Sequence, residues 1–500
     1  MAALPQSQPA TDSAARNNLI ARLAAILPRA ALLSEAEDLT PYECDGLSAY
    51  RALPMMAVLP QSVIEVQEVL RIASNTGTKV VARGSGTGLS GGATPLNDGI
   101  LMSMAKFNRI VAIDPLARSA RVQPGVRNQQ ISEAVAHLGL YYAPDPSSQI
   151  ACSIGGNVAE NSGGVHCLKY GLTVHNILKI DVVTIDGDTA TIGSDALDSP
   201  GYDLLALMCG SEGMLGITTE VTVKLLPKAQ LARVVMASFD DIEKAGEAVA
   251  NVIGAGIVPA GLEMMDKLAN EAVEGFVHAG YDLNAAAILL CESDGTHEEV
   301  AEEIAKIEAV MKASGATACR TSNNESERLK YWSGRKAAFP AVGRISADYY
   351  CIDGSIPRRA LAAVLKRTEE FSIKYKLRCA NVFHAGDGNL HPLILFDANV
   401  PGELERTEAF AAELLELCIE VGGTITGEHG VGIEKINQMC SQFNSNEIEM
   451  FFAVKRSFDA KQLLNPGKAI PTLSRCAEYG RMRVRGGQTN QLPHADIPRF

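Results

Sequence analysis

The chain has 500 residues, 47% of them hydrophobic and 21% charged, with 45 basic and 58 acidic residues and a net charge of −13. A chain of this size can bury a large core and is expected to form two or more domains, while the acidic balance argues against nucleic acid as the main partner. No run of eighteen apolar residues occurs and the first eighteen residues are polar, so we expect neither a membrane span nor a secretory signal.

The eleven cysteines are scattered, odd in number and without a C-x-x-C pair. This pattern predicts reduced thiols and a cytoplasmic location. It also lacks the usual ligand spacing of an iron–sulfur cluster.

The first elements are predicted from apolar spacing. An Ala/Leu-rich stretch predicts a helix from Asn18 to Leu33. Ser62 and Glu65 match a capping box, and the apolar spacing that follows predicts an amphipathic helix from Ser62 to Asn75. This helix leads into Lys79 to Ala82, a β-branched run typical of a buried strand, so a βαβ-like unit is expected.

A glycine-rich loop, RGSGTGLSGG, follows this strand at Arg83 to Gly92. Glycine lets backbone N–H groups approach a bulky anion, and the hydroxyl side chains add donors, which suits a pyrophosphate. The loop matches G-x-G-x-x-G, but Ala93 to Gly99 has turn chemistry where a dinucleotide fingerprint requires a helix. A glycine-rich surface turn without a ligand stays open as the alternative.

Two further glycine-rich segments follow. Pro144 to Gly164 is irregular by composition, and long loops inside compact domains are usually functional, so we expect it to wrap a second part of the same ligand. A third group, Gly210 to Gly216, precedes a β-rich run from Ile217 to Leu226. Pro227 is expected to close that run, and a domain boundary is placed near it.

Beyond this boundary, strand-like and helical segments alternate up to Glu420, which predicts an α+β sheet domain. A capping box at Thr296 and Glu299 opens one of its helices. Asn444 to Asp459 is predicted to be a helix. The polar tail after Pro471 is either disordered or a contact arm.

Two histidines flank a predicted hairpin in the sequence NVFHAGDGNLHPLILF. Asp387-Gly388 between two apolar runs predicts a two-residue type I′ turn. That turn sets His384 directly opposite His391 on one face of the sheet. Two imidazoles at this separation can share one metal ion.

A carboxylate and a third imidazole follow in the segment GEHGVG. His384, His391 and Glu428 match a zinc site with an open position. His429 is left as a proton acceptor at neutral pH. A cross-strand histidine pair satisfied by hydrogen bonds, with Glu428 and His429 as turn residues, remains the alternative.

Taken together, these segments resemble the FAD-linked 2-hydroxy-acid dehydrogenases of the vanillyl-alcohol-oxidase-like (PCMH-type) superfamily, and within it the glycolate-oxidase branch. The motifs RGSGTGLSGG, PDPSSQIACSIGGNVAENSGG, GSEGMLGI, FHAGDGNLHP, GEHGVG and LNPGK occur in the matching order across most of residues 50 to 470. The resemblance implies an α+β fold with a two-part FAD-binding domain, an α/β sheet cap domain that binds substrate, and a C-terminal helical segment. The implied ranges are an N-terminal helical segment at 1–50, the PCMH-type FAD-binding domain at 51–228, the cap domain with the metal site at 229–443, and a C-terminal helix returning to the FAD domain, plus tail, at 444–500.

The resemblance also implies the site residues. FAD is expected to contact Gly84, Ser85, Gly86, Thr87, Gly88, Leu89, Ser90, Gly91, Pro144, Asp145, Ser148, Ser153, Gly155, Gly156, Asn157, Asn161, Gly164, Glu212, Gly216, Ile217 and Asn465. Because the first glycine loop lacks the histidine that tethers flavin in some relatives, FAD is expected to be non-covalent. A divalent metal, zinc by expectation, is assigned to His384, His391 and Glu428. Arg335 is assigned to the substrate carboxylate and His429 to the base.

The implied reaction is oxidation of a small 2-hydroxy acid by FAD. Relatives that act on dicarboxylates carry an extra basic residue near Tyr349 to Asp353, and its absence here favours glycolate or D-lactate over D-2-hydroxyglutarate. Reduced FAD is expected to pass electrons to a second flavin-type subunit and an iron–sulfur subunit, in the cytoplasm and peripheral to the inner membrane. A metal-dependent hydrolase with structural glycine loops and a non-catalytic assembly subunit are the alternatives from other classes.

Overall fold

The computed structural model describes residues 13–196, 201–479, 482–484 and 488–490. Its helices are α1 (Ser13–Ala24), α2 (Ala36–Leu39), α3 (Val63–Thr76), α4 (Asn128–Val135), α5 (Ile154–Glu160), α6 (Cys167–Tyr170), α7 (Leu204–Met208), α8 (Ile242–Gly254), α9 (Lys267–Val277), α10 (His297–Ala313), α11 (Glu325–Lys336), α12 (Ala338–Val342), α13 (Leu361–Tyr375), α14 (Glu403–Glu420), α15 (Ile436–Gln442), α16 (Ser445–Phe458) and α17 (Leu473–Tyr479). Its strands are β1 (Leu32–Leu33), β2 (Met56–Val58), β3 (Lys79–Arg83), β4 (Gly99–Ser103), β5 (Ile110–Asp114), β6 (Ser119–Val122), β7 (Leu140–Tyr141), β8 (Ile177–Val183), β9 (Thr189–Gly193), β10 (Ile217–Lys224), β11 (Leu226–Pro227), β12 (Leu231–Phe239), β13 (Gly261–Asp266), β14 (Ala287–Gly295), β15 (Ala318–Thr321), β16 (Asp348–Cys351), β17 (Gly354–Ser355), β18 (Cys379–Phe383), β19 (Asn389–Leu390), β20 (Pro392–Phe396), β21 (Met482–Val484) and β22 (Gln488–Asn490).

A central unit is formed by Gly163–Gly171 and Lys228–Glu428. It contains a seven-stranded antiparallel sheet in the order β15-β12-β14-β13-β18-β20-β16. All six residues of β13 are buried, as expected for an inner strand with both faces covered. Helix α10 begins with the predicted reciprocal capping box between Thr296 and Glu299.

A terminal unit is formed by Leu172–Pro227 together with the chain before Gly163 and from His429 onward. Strands β2, β4 and β3 run parallel, and α3 is the crossover from β2 to β3, so the expected βαβ unit is present. A five-stranded antiparallel sheet follows in the order β5-β6-β10-β8-β9. Both units mix helices with largely antiparallel sheets, so the fold is α+β.

The N-terminal helix is shorter than predicted. It ends at Ala24, and the segment up to Leu33 instead contains a short 3₁₀ turn and strand β1. Pro28 restricts the chain there, and β1 pairs with β2, so sheet pairing overrides helix propensity. Residues 1–12, which supplied much of the polar N-terminal pattern, lie outside the described residues.

The capping and loop predictions also need correction. Ser62 caps α3 by accepting from the Glu65 amide, but the Glu65 carboxylate accepts from the Gln61 amide rather than completing a box with Ser62. The loop predicted to be wholly irregular contains helix α5. Its residues Ile154 and Val158 are buried in an apolar cluster, and this packing outweighs the two helix-disfavouring glycines.

The thiol prediction is wrong for one cysteine pair. Cys440 in α15 and Cys476 in α17 form a disulfide with a Cα–Cα distance of 5.3 Å. Their separation of 36 residues carries no spacing signal, because the packing of α17 against α15 brings them together. The described part of the tail after Pro471 begins with helix α17. No helix among the described residues is both long and apolar enough to span a membrane.

Candidate functional site

All the predicted flavin residues except Gly164 lie in five segments. Gly84, Ser85, Gly86, Thr87, Gly88, Leu89, Ser90 and Gly91 form the loop between β3 and β4; Pro144, Asp145 and Ser148 precede α5; Ser153, Gly155, Gly156, Asn157 and Asn161 start, line and end α5; Glu212, Gly216 and Ile217 lead into β10; and Asn465 follows α16. All of these belong to the terminal unit, whereas Gly164 belongs to the central unit.

Within the terminal unit, the separate glycine segments contact one another. A Cβ atom added at Gly84 would lie 2.3 Å from the Ser153 hydroxyl, so the first loop lies directly against the start of α5. The Asn465 side-chain amide donates to the backbone oxygens of Gly92, at 3.0 Å, and Glu212, at 2.7 Å. The return segment therefore joins the first and third glycine groups.

The surface of these loops has both space and unsatisfied polar groups. A Cβ atom added at Gly88 would meet only the Asp45 carboxylate at 4.0 Å, and one at Gly156 only the Ser153 hydroxyl at 3.5 Å. Buried side-chain oxygens without a hydrogen-bond partner in the described part of the chain include Ser90 Oγ, Ser153 Oγ and Asn465 Oδ1. Open space beside unpaired donors and acceptors fits an extended polar ligand such as the pyrophosphate of FAD.

Glu212 and Ile217 are among the predicted flavin residues whose side chains are engaged by the protein. The Glu212 carboxylate accepts from the backbone amides of Val431 at 2.7 Å and Gly432 at 2.8 Å. Ile217 is 1% exposed and lies in the apolar core. Glu212 therefore holds the segment that follows His429, and Ile217 can offer a ligand only its backbone.

Glu160, at the end of α5, was missed by sequence reasoning. Its oxygens lie where Cβ atoms at positions 92 and 430 would be, so both positions must be glycine to leave room for the carboxylate. Burial, and then the charge of Glu212, raise the pKa of Glu160 well above its ordinary value. Burial therefore favours the neutral form of Glu160 beside the engaged carboxylate of Glu212, and a single acid after an apolar helical turn gave no sequence signal for it.

In the central unit, three predicted metal ligands come together. His384 Nε2 lies 3.2 Å from Glu428 Oε1, and His391 Nε2 lies 3.3 Å from the same oxygen. The two ring centroids are 4.9 Å apart, and the three ligand atoms lie within 4.8 Å of one another. Two imidazoles and a carboxylate in this arrangement fit a divalent metal with an open position.

The hairpin between the histidines differs from the prediction. His384 pairs with Asn389, and Cys379 with Ile394, so the turn has four residues rather than two. Asp387 does not take the positive φ that a type I′ turn requires, whereas Gly388 does, at +84°. The register is thus shifted by two residues, and because side chains alternate with a period of two, both histidines stay on the same face.

Glu263 on β13 is the main residue that sequence reasoning missed. Its Oε1 lies 2.8 Å from His384 Nδ1, and its Oε2 accepts from Arg335 Nε at 2.7 Å. Burial favours a neutral Glu263, but the charges of His384 and Arg335 outweigh it and lower its pKa. An acid inside the apolar run GLEMMD was the available signal.

His384 is correspondingly placed between two negative charges. Burial disfavours its protonated form, yet the charges of Glu263 and Glu428 outweigh that effect and raise the pKa of His384 well above its ordinary value. A group of acids that stabilises positive charge on an imidazole is also suited to a cation.

Two further residues contact the segment that carries the glutamate ligand. Asp353 Oδ1 accepts from the backbone amides of Gly427 and Glu428, at 3.1 and 3.0 Å, and its Oδ2 accepts from the Thr426 hydroxyl at 2.7 Å. A Cβ atom added at Gly427 would lie 2.4 Å from the Asn389 side chain, whose Oδ1 is buried without a partner in the described residues.

Arg335 lies in the last turn of α11 and is 1% exposed. Its Nη2 is buried and has no hydrogen-bond partner among the described residues, which is costly for a guanidinium unless a ligand supplies an acceptor. His429 belongs to the terminal unit, and its assignment as the base stays a prediction.

Comparisons with known proteins give consistent results. Residues 54–193 match the family described as FAD binding domain, and residues 228–469 match the FAD linked oxidases, C-terminal domain. The chain is 61% identical over 485 residues to the glycolate oxidase subunit GlcD of Escherichia coli, covering 97% of each chain. It is 38% identical over 428 residues to GlcD of Bacillus subtilis, covering 85% of this chain and 91% of that one. It is 32% identical over 438 residues to a D-lactate dehydrogenase of Archaeoglobus fulgidus, covering 86% and 95%.

Among solved structures, p-cresol methylhydroxylase with substrate bound superposes with a TM-score of 0.78 at 18% identity, covering 92% of this chain and 98% of that one. The 4-ethylphenol oxidase from Gulosibacter chungangensis gives a TM-score of 0.77 at 17% identity, covering 93% and 99%. At these identities the likeness establishes the PCMH-type fold.

Proposed function

The chain belongs to the FAD-linked oxidases, and on that premise we propose that it oxidises a small 2-hydroxy acid, glycolate or D-lactate, to the 2-oxo acid. The observation that carries this proposal is a buried guanidinium, Arg335, joined through one carboxylate to the cluster of His384, His391 and Glu428. A 2-hydroxy acid has a carboxylate that Arg335 could bind. Its neighbouring hydroxyl could bind a metal held by the cluster.

In the proposed reaction, Arg335 binds the carboxylate and orients the α-carbon. His384, His391 and Glu428 would hold a divalent metal, expected to be zinc, and a metal there would lower the pKa of the substrate hydroxyl. FAD would supply the two-electron acceptor for the hydride. His429 accepts the hydroxyl proton, and Glu212 holds the backbone immediately after it.

We assign FAD binding to residues 51–228, with the helical segment 1–50 before it and 444–500 returning to it, and substrate and metal binding to 229–443. FAD in this proposal is non-covalent, because the first glycine loop has no histidine to tether the flavin. The open Cβ positions and unpaired hydroxyls of the glycine segments suit the pyrophosphate.

We further propose that the chain works as one subunit of a larger assembly. The similar proteins of Escherichia coli and Bacillus subtilis are named as subunits of glycolate oxidase. In this proposal a second flavin-type subunit and an iron–sulfur subunit accept the electrons, in the cytoplasm and at the inner membrane through those partners. The disulfide between Cys440 and Cys476 removes the thiol argument for the cytoplasm, so that location needs its own test by fractionation.

Anaerobic titration of the purified protein tests the activity. Glycolate or D-lactate should bleach the visible flavin absorbance in proportion to substrate added, while D-2-hydroxyglutarate should bleach it less. Relatives named D-lactate dehydrogenase make D-lactate the second candidate, and the ratio of the two reduction rates ranks them. A protein that binds FAD but is reduced by none of the three acids refutes the proposal, and a colourless protein that hydrolyses esters or amides with metal supports the hydrolase alternative.

A further inference from the structure

A carboxylate lies where an apolar side chain is expected. Glu263 is in the third position of β13, all of whose residues are buried, and is 1% exposed. The register that pairs Met264 with Phe383 continues to set Glu263 opposite His384. Burying a charge in such a strand is unfavourable unless each oxygen has a strong partner, so a retained glutamate needs a reason.

Each oxygen of Glu263 serves a different functional side chain. Oε1 lies 2.8 Å from His384 Nδ1. Oε2 accepts from Arg335 Nε at 2.7 Å. One carboxylate thus bonds both to a predicted metal ligand, His384, and to the predicted substrate anchor, Arg335.

We infer that Glu263 is a positioning residue that fixes the tautomer of His384 and selects the edge of Arg335 that faces the substrate. The inference rests on the proposed function and adds a residue to it. A carboxylate can only accept at His384 Nδ1, so Glu263 keeps a proton there. A metal would then replace the proton that Nε2 shares with Glu428, and the Nε2 lone pair would bind it.

The same contact sets the specificity of Arg335. Glu263 accepts from Nε and so occupies the side edge of the guanidinium. The terminal edge, which carries the two Nη atoms and includes the unpartnered Nη2, is left for a ligand. The terminal edge can pair with one carboxylate through two parallel hydrogen bonds. The terminal edge is therefore the edge that would anchor a substrate carboxylate, end-on.

Glu263→Gln separates these two tasks. The amide has one acceptor, and the permanent charge of Arg335 should take it, so the NH₂ group then faces His384 Nδ1. His384 must accept that hydrogen bond, which moves its proton to Nε2 and removes the metal-binding lone pair. Zn²⁺ affinity, measured by competition with a chelator and by elemental analysis, should fall by about 10-fold to 100-fold, while flavin stays bound.

A second variant tests the tautomer argument. In Glu263→Gln combined with Arg335→Met, the amide can rotate and accept from His384, so Zn²⁺ retention should recover relative to Glu263→Gln alone. The KM for glycolate at saturating Zn²⁺ should nevertheless stay high, since the anchor is gone. This recovery of metal without recovery of substrate binding is not expected from a merely structural role.

Glu292→Gln is the matched control. Glu292 is a 2% exposed glutamate on the adjacent strand β14, and it accepts from Arg328 at 2.8 Å and from Trp332. Its substitution should weaken folding without changing Zn²⁺ affinity. If Glu263→Gln fails to fold, Glu263→Asp replaces it, because a side chain shorter by one methylene draws both oxygens away from their partners and should also lower Zn²⁺ affinity.

The outcomes separate this inference from the proposed function. Wild-type Zn²⁺ affinity in the Glu263 variants, with metal and glycolate activity present in the parent protein, overturns the inference alone. A parent protein that is reduced by glycolate yet holds no metal at full activity overturns the tautomer role and leaves the oxidation intact. A parent protein that binds Zn²⁺ but is not reduced by any 2-hydroxy acid overturns the proposed function.

Discussion

Gly88 offers a sharper test of the flavin loop than Gly86. A Cβ atom added at Gly88 meets only Asp45 Oδ2 at 4.0 Å, which is ordinary contact, and its φ lies outside the left-handed region. Gly88→Ala should therefore change the free energy of unfolding by less than about 0.5 kcal/mol or stabilise the chain slightly. A methyl group should instead intrude where backbone must approach phosphate.

The expected loss is in FAD affinity. A hydrogen bond to a charged group contributes about 1.5 to 3 kcal/mol, and each 1.4 kcal/mol is a factor of ten in the dissociation constant. Displacing one backbone donor from the pyrophosphate should thus weaken FAD binding by about 10-fold to 150-fold. Fluorescence quenching of FAD added to apoprotein measures this directly.

Gly86 behaves differently because the protein itself occupies its side-chain position. Its φ is +69°, and a Cβ atom would lie 2.2 Å from the guanidinium of Arg83, which donates to the Cys44 carbonyl at 2.7 Å. Left-handed strain of about 1 to 2 kcal/mol and a disturbed hydrogen bond should make Gly86→Ala or Gly86→Val lose stability as well as flavin. A flavin loss in Gly86→Val alone would therefore not identify the loop as the pyrophosphate site.

Gly254→Ala serves as the control, because Gly254 ends α8 and no atom of the described residues outside that helix lies within 4 Å of its Cβ position. It should leave both stability and flavin binding nearly unchanged. If Gly88→Ala binds FAD as tightly as the parent protein, backbone at this position does not approach the cofactor, and the assignment of the loop fails.

Three further predictions concern single side chains. His429→Asn should slow flavin reduction in rapid-mixing experiments by about 10²-fold to 10⁴-fold with little change in substrate binding, and an unchanged rate would exclude it as the base. Arg335→Lys should raise the KM for glycolate by about tenfold or more, since an ammonium cannot form two parallel hydrogen bonds, and an unchanged KM would remove it as the anchor. Burial lowers the pKa of Lys468 from 10.5 to about 8, so the unfolded chain binds more protons between these values and stability should rise with pH there. Relative to Lys468→Met, the parent protein should gain about 2 kcal/mol in unfolding free energy from pH 8 to pH 10, and parallel curves would contradict that.

Sequence reasoning marked the glycine segments because their signal is local. A segment whose backbone approaches another group closely must lack Cβ atoms, and a cluster of glycines after a strand reflects that need, as at Gly84 beside Ser153. Capping patterns such as Thr296 with Glu299 are equally local, and that box forms as predicted. By contrast, the helix inside the second glycine segment forms because Ile154 and Val158 reach an apolar cluster, which no local pattern states.

Contacts between residues far apart in the chain were harder to predict from the sequence. The Cys440–Cys476 disulfide and the contacts of Glu263 join residues far apart in the chain, and neither has a spacing rule. The unusual feature, an acid in the run GLEMMD, was visible, but it named no partner. Only the pairing of β13 with β18 in the sheet shows that His384 lies beside this acid.

The histidine pair shows why a wrong prediction of the turn can still bring the predicted residues together. The turn type was wrong and the pairing shifted by two residues, yet a shift of two preserves the face on which every side chain lies. His384 and His391 thus became diagonal rather than direct neighbours, with ring centroids 4.9 Å apart. A shift of one would have turned one histidine away from the other and left Glu428 with a single imidazole. Insertions of one residue into the turn between them should therefore abolish metal binding more severely than insertions of two, which keep the shared face and change only the spacing.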